Sequence, residues 1–112
     1  MLLAIDAGNT NTKFALVDGL EIKARWRIVT DARRTADQYA VWLTQILELE
    51  GYSRADVTAV LIATVVPRAL HNLQLLSSKY FSVEAGVAGR EPYSWGIALD
   101  VAEPHAVGAD RA

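Results

Sequence analysis

Asp6-Ala7-Gly8-Asn9-Thr10-Asn11-Thr12-Lys13 gathers backbone N–H groups, two side-chain amides, two hydroxyls and an ammonium around one tight turn. Such groups are ligands for phosphate oxygens. Oriented N–H groups cradle a polyphosphate, Lys13 adds positive charge, and Asp6 is suited to hold Mg²⁺ directly or through water. The run is neither a G-x-x-x-x-G-K-[ST] loop nor a dinucleotide-binding G-x-G-x-x-G. Its competing interpretation is an ordinary Gly-Asn turn whose Asn and Thr side chains satisfy their own backbone. The two histidines add no metal chemistry, since His71 falls in a helical segment and His105 has no second ligand at metal spacing.

Positioning that turn requires strands on both sides. Leu2 to Ile5 is a short apolar run and Lys13 to Val17 reads as a second strand. Asp18-Gly19 is a two-residue hairpin signal of the type I′ kind, so Leu20 to Val29 is expected to run back antiparallel. In that third strand Leu20, Ile22, Ala24, Trp26 and Ile28 alternate with Glu21, Lys23, Arg25 and Arg27, which places one wet face near a sheet edge. Tyr39, Trp42, Leu43, Ile46 and Leu47 form a helical stripe, with Thr35 and Gln38 spaced as a capping box and Gly51 as the stop.

Val57 to Ala63 is a continuous apolar run rich in β-branched residues that suits a central strand reached by a crossover. Thr64-Val65-Val66-Pro67 then turns the chain into a second, shorter helix carrying Leu70, Leu73 and Leu76. Tyr80 to Glu84 reads as a fifth strand. Ala85 to Val107 loses periodicity and gathers Gly and Pro, a long loop bearing Tyr93 and Trp95. Gly108 to Ala112 opens a further helix, too short to stand alone, so the chain is expected to be the front part of a longer one. Trp26 and Trp42 are expected in the core, and Arg33-Arg34 at the surface.

The 112 residues amount to about one domain. With 52% hydrophobic and 21% charged residues the composition is that of a packed globular protein. A net charge of −2 without a basic block argues against nucleic acid as a partner. The absence of Cys excludes disulfides, thiolate catalysis and Cys-based zinc sites, and is compatible with a cytoplasmic location. No apolar run approaches the roughly 20 residues of a membrane span, so no membrane association is expected.

Three segments in order, Asp6 to Lys13, Thr64-Val65-Val66-Pro67 and Val107-Gly108-Ala109-Asp110-Arg111, resemble the successive motifs of the type III pantothenate kinases. These belong to the acetate-and-sugar-kinase/Hsp70/actin superfamily. The resemblance implies an α/β, actin-like (ribonuclease H-like) domain over residues 1–112. Its mixed five-stranded sheet would have three strands antiparallel and two added parallel, and the family's second domain would lie beyond this chain. It implies ATP-dependent phosphorylation of pantothenate, the first step of coenzyme A synthesis, with Mg²⁺, a monovalent cation (K⁺ or NH₄⁺) held mainly by the second domain, and a homodimer.

By the same likeness Asp6, Ala7, Gly8, Asn9, Thr10, Asn11, Thr12 and Lys13 form the ATP phosphate loop. Tyr93, Gly108, Ala109, Asp110 and Arg111 would contact pantothenate, with Asp110 as the base. The residue types suit this chemistry: a carboxylate at a helix N-terminus stays ionised, and Arg111 offers a planar fork for a carboxylate or amide oxygen. A first-turn acid that only stabilises its helix and a solvated surface Arg are the plainer alternatives. Other readings are a non-catalytic nucleotide-binding accessory protein of the same fold, or another small-molecule kinase of the superfamily. The chain by itself is expected to bind ATP weakly and turn over little.

Overall fold

A computed structural model describes residues 1–88. Its elements are β1 (Leu2–Ala7), β2 (Asn11–Asp18), β3 (Glu21–Val29), α1 (Ala36–Leu49), a 3-10 turn (Arg54–Asp56), β4 (Ala59–Thr64), α2 (Pro67–Tyr80) and β5 (Gly86–Val87). The sheet has five strands in the order β3-β2-β1-β4-β5. β1–β2 and β2–β3 pair antiparallel, whereas β4 joins β1, and β5 joins β4, in parallel. The expected mixed sheet is therefore observed.

Strand alternation divides the sheet into two faces. One bears Leu3, Ile5, Phe14, Leu16, Val60 and Ile62, packed against Tyr39, Leu43 and Leu47 of α1 and Leu73 and Leu76 of α2. Phe14 lies between aromatic rings of α1, 6.1 Å from Tyr39 and 5.2 Å from Trp42. The opposite face is paved with smaller side chains: Ala4, Ala15, Val17, Leu61 and Ala63.

The capping box of α1 forms as spacing predicts. Thr35 Oγ1 accepts from Gln38 N–H at 3.1 Å, and Gln38 Oε1 accepts from Thr35 N–H at 2.8 Å. The helix closes in a Schellman motif: Tyr52 N–H reaches Leu47 C=O, Gly51 N–H reaches Glu48 C=O, and Gly51 has φ +88°.

Four expectations are corrected. The hairpin pairs Asp18 with Glu21, so its central residues are Gly19-Leu20, and only Gly19 (φ +64°) is left-handed. That is the II′ pattern, which needs a single glycine at its first central position. The register also jumps between Leu16 and Val17, opposed by Ala24 and Ile22, which leaves Lys23 as the extra residue of a β-bulge. A bulge reverses the facing of what lies beyond it. Ile22 accordingly packs with Ala4 and Val17, while Ala24, Trp26 and Ile28 pack on the helix side.

The third correction concerns the fifth strand, placed by sequence at Tyr80 to Glu84. The α2 stripe runs on through Ser77, so Tyr80 is its last residue and α2 matches α1 at 14 residues. Phe81 and left-handed Ser82 (φ 58°) stop it, and pairing with β4 begins only at Gly86. Likewise the fourth strand starts at Ala59, because Val57 closes the 3-10 turn.

Candidate phosphate-binding site

The carboxyl ends of the parallel strands β1 and β4 meet at one edge of the sheet, where open α/β sheets bind ligands. Ala7 and Thr64 are register partners there. Thr64 Oγ1 lies 3.1 Å from Ala7 C=O and 3.2 Å from Val66 C=O, and it accepts from Val66 N–H at 2.8 Å. Val65 N–H adds a bond to Ala7 C=O at 3.2 Å. One hydroxyl thus ties the turn after β1 to the turn that launches α2, whose first residue is Pro67 as expected.

Asp6 is 3% exposed on β1, one residue before that edge. Lys13 is its antiparallel register partner on β2, so the two side chains rise from the same face, with Cβ atoms about 5 Å apart. Register therefore sets the Lys13 side chain on the same face as a carboxylate that is removed from water. Together they put both signs of charge beside the turn.

The turn is tighter than composition alone implies. Gly8 is buried and its N–H donates to Asn11 C=O at 3.0 Å, which engages that amide within the loop. Thr10 C=O accepts from Thr30 N–H at 2.8 Å, pinning the tip to the chain after β3. Asn9 and Thr10 are exposed at that tip, and no hydrogen bond among the described residues uses their N–H groups.

Thr12 departs from the rest. It is fully buried on the helix side, with its hydroxyl 2.9 Å from that of Thr30, so its side chain steadies the loop from behind. The structure therefore brings Asp6, Gly8, Asn9, Thr10 and Lys13 around one edge, has Ala7 and Asn11 as backbone partners, and turns the Thr12 side chain away. Tyr93, Gly108, Ala109, Asp110 and Arg111 lie outside the described residues.

Sequence reasoning placed Thr64 in the second family motif without giving its hydroxyl a role, and did not single out Thr30. A hydroxyl at the end of a β-branched run was the available signal for Thr64; nothing local marks Thr30, whose partner is 18 residues away. Among the described residues no group of three or more His, Cys, Asp or Glu side chains is placed to hold a metal, and no helix is long and apolar enough to cross a membrane.

A family model described as type III pantothenate kinase matches residues 2–112. The chain belongs to that family. Curated type III pantothenate kinases are similar along all or nearly all of it: 74% identity with that of Rhizorhabdus wittichii over the whole chain, 71% with that of Sphingopyxis alaskensis over the whole chain, and 63% with that of Zymomonas mobilis over 99%. The matched parts make up 43%, 43% and 40% of those relatives, so the chain spans about two-fifths of the length of the curated relatives it matches.

Proposed function

We propose that this chain supplies the nucleotide-phosphate side of an enzyme that phosphorylates pantothenate with ATP to give 4′-phosphopantothenate. The observation that carries the proposal is the buried Asp6 paired in register with Lys13, next to an exposed turn at the carboxyl edge of parallel strands. Family membership supports the identity of both substrates. In this reading the tip amides of Asn9 and Thr10 and the Lys13 ammonium hold the polyphosphate oxygens. Asp6 is a hard oxygen donor of the kind Mg²⁺ takes beside substrate phosphates, a mode that needs only one or two protein carboxylates. When bound, the ion would neutralise charge on the β- and γ-phosphates.

Asp110 accepts the proton of the acceptor's primary hydroxyl as that oxygen bonds to the γ-phosphorus and the bond to the ADP oxygen breaks. Proton and phosphoryl group are thereby both accounted for. Because phosphoryl transfer passes through a loose transition state, that carboxylate acts late and need not be a strong base. Gly108, Ala109, Arg111 and Tyr93 contact pantothenate in this assignment. A homodimer, a monovalent-cation requirement met largely outside this chain, and a cytoplasmic setting complete it.

A coupled assay of ADP release with the complete protein tests the proposal. Asp6→Asn is expected to lower kcat/KM by about 10²-fold or more, the scale of losing one preorganised electrostatic group. Asp110→Asn is expected to cost about 10²–10⁴ in kcat. Parent-like turnover by Asp6→Asn would refute the phosphate-site reading.

A further inference from the structure

The face of the sheet away from α1 and α2 carries a rung of ionisable side chains beside the phosphate turn. Asp6 of β1 opposes Lys13 of β2, and Lys13 opposes Arg27 of β3; Arg25 stands one rung back, opposite Ala15. Directly opposed residues in an antiparallel pair project to the same face. Carboxylate, ammonium and guanidinium therefore form one row, about 10 Å from Asp6 to Arg27 across two interstrand spacings. The bulge at Lys23 does not disturb it, because pairing is unbroken from Leu16 opposite Ala24 to Asn11 opposite Val29.

Five of the other described cations have structural partners, whereas Arg25 and Arg68, like Arg27, have none among the described residues. Lys23 pairs with Glu21, Arg33 with Asp31 and Lys79 with Asp37, while Arg34 and Arg54 donate to the carbonyls of Val29 and Tyr80. Arg27 is exposed and has no hydrogen bond or ion pair among the described residues. Charge along an edge strand deters unwanted pairing. Lys23 and Arg25 meet that need, and it does not require a guanidinium on the same rung as a buried carboxylate.

We propose that Arg27 is a substrate ligand, holding a substrate oxyanion jointly with Lys13 at the β3 side of the phosphate turn. The inference rests on the proposed phosphate-site reading and extends it by one strand. A planar guanidinium fork matches phosphate and carboxylate oxygens equally well, and the Lys13 ammonium contributes a point charge between it and Asp6. Two groups in the proposed reaction share this chemistry: the ATP polyphosphate and the pantothenate carboxylate.

Steady-state kinetics of Arg27→Gln and Arg27→Lys in the complete protein separate the sources. Arg27→Gln is expected to raise one KM about tenfold with a smaller change in kcat, and Arg27→Lys to recover part of the loss, because charge survives without the fork. A raised KM for ATP assigns the polyphosphate. A raised KM for pantothenate, with no change for the neutral analogue whose carboxylate is reduced to an alcohol, assigns the carboxylate.

Both KM values within twofold of the parent, at an unchanged unfolding midpoint, overturn the inference. So does a loss confined to kcat that the lysine variant shares in full. Should Arg27→Gln fail to fold, Arg27→Lys alone decides: its KM must rise for either substrate, and a parent-like value refutes the role. Failure here stays distinguishable from failure of the underlying reading, because Asp6→Asn and Lys13→Ala would still impair ATP use in the first case and would leave it intact in the second.

Discussion

Replacing Thr64 by Val removes a hydroxyl and keeps the shape and β-branching that β4 favours. In the parent, that hydroxyl accepts from Val66 N–H at 2.8 Å and donates its one proton toward Ala7 C=O at 3.1 Å or Val66 C=O at 3.2 Å. Two hydrogen bonds are made at a time, each worth about 1 kcal/mol net. Ala7 C=O keeps its bond from Val65 N–H, so it is not orphaned, whereas Val66 N–H loses its acceptor. The half-buried site lets water reach part of what is left.

The expected cost of Thr64→Val is thus about 1–2 kcal/mol, read as a lower urea midpoint at constant slope. Because the lost tie joins the phosphate turn to the start of α2, the KM for ATP is expected to rise roughly three- to tenfold, ten being the factor for 1.4 kcal/mol. Thr64→Ser, which keeps the hydroxyl, should lie much closer to the parent on both measures. A Val variant within about 0.3 kcal/mol of the parent, or a Ser variant as impaired as Val, would refute the reasoning, since the hydroxyl would then not be the tie.

Two further perturbations probe the helix layer. Tyr39 is 1% exposed and its hydroxyl has no hydrogen-bond partner among the described residues, so Tyr39→Phe removes a buried polar atom without removing a bond seen there; stability is expected to be unchanged or up to about 1 kcal/mol higher, and a loss above that size would point to a bonded hydroxyl. Asp37 on α1 accepts from Lys79 at 2.9 Å and from the Tyr80 hydroxyl, clamping the two helices. The Tyr80 bond, and then Lys79, hold the Asp37 carboxyl below its ordinary 3.8; bonding to Asp37 raises Lys79 above 10.5 and Tyr80 above 10.0. A lowered carboxyl contributes stability that is present above its unfolded value and lost as pH falls through the folded one. Raised Lys and Tyr contribute stability that is present below their unfolded values and lost as pH rises. The stability difference between parent and Asp37→Asn should therefore be flat near neutrality and shrink below about pH 4 and above about pH 10. A difference that grows on acidification would contradict the clamp.

What could be read from sequence was whatever local chemistry settles. Thr35, Gln38 and Gly51 announce the ends of α1 because capping and a left-handed C-terminus are short-range demands, and both motifs form. The mixed character of the sheet was expected, but its strand order, β3-β2-β1-β4-β5, appears only in the structure. What escaped reading depended on long-range pairing. The Lys23 bulge appears only when β3 is set against β2, and it sends Ile22 to the face opposite the one that uninterrupted alternation requires. Val83 has β-branched character, yet the chain around it belongs to the end of α2, because Ser77 is buried and its hydroxyl donates to Val83 C=O at 2.6 Å. At the site, composition named the turn, but only register shows that Asp6, Lys13 and Arg27 share a rung.

The eight-residue run from Asp6 to Lys13 is consequently not one functional unit, and strand alternation explains why. On β2, Thr12, Phe14 and Leu16 face the helices while Lys13, Ala15 and Val17 face the other way. Substituting Thr12 acts through the Thr30 contact and the core, whereas substituting Lys13 acts on charge beside a buried carboxylate. The two neighbours should separate experimentally, Thr12→Val lowering stability ahead of substrate affinity and Lys13→Ala the reverse. A one-residue slip of β2 would exchange the two sets and bury an ammonium under α1. The apolar Phe14–Tyr39–Trp42 cluster thus does more than stabilise: by fixing register, it decides which residues of the turn reach the ligand side.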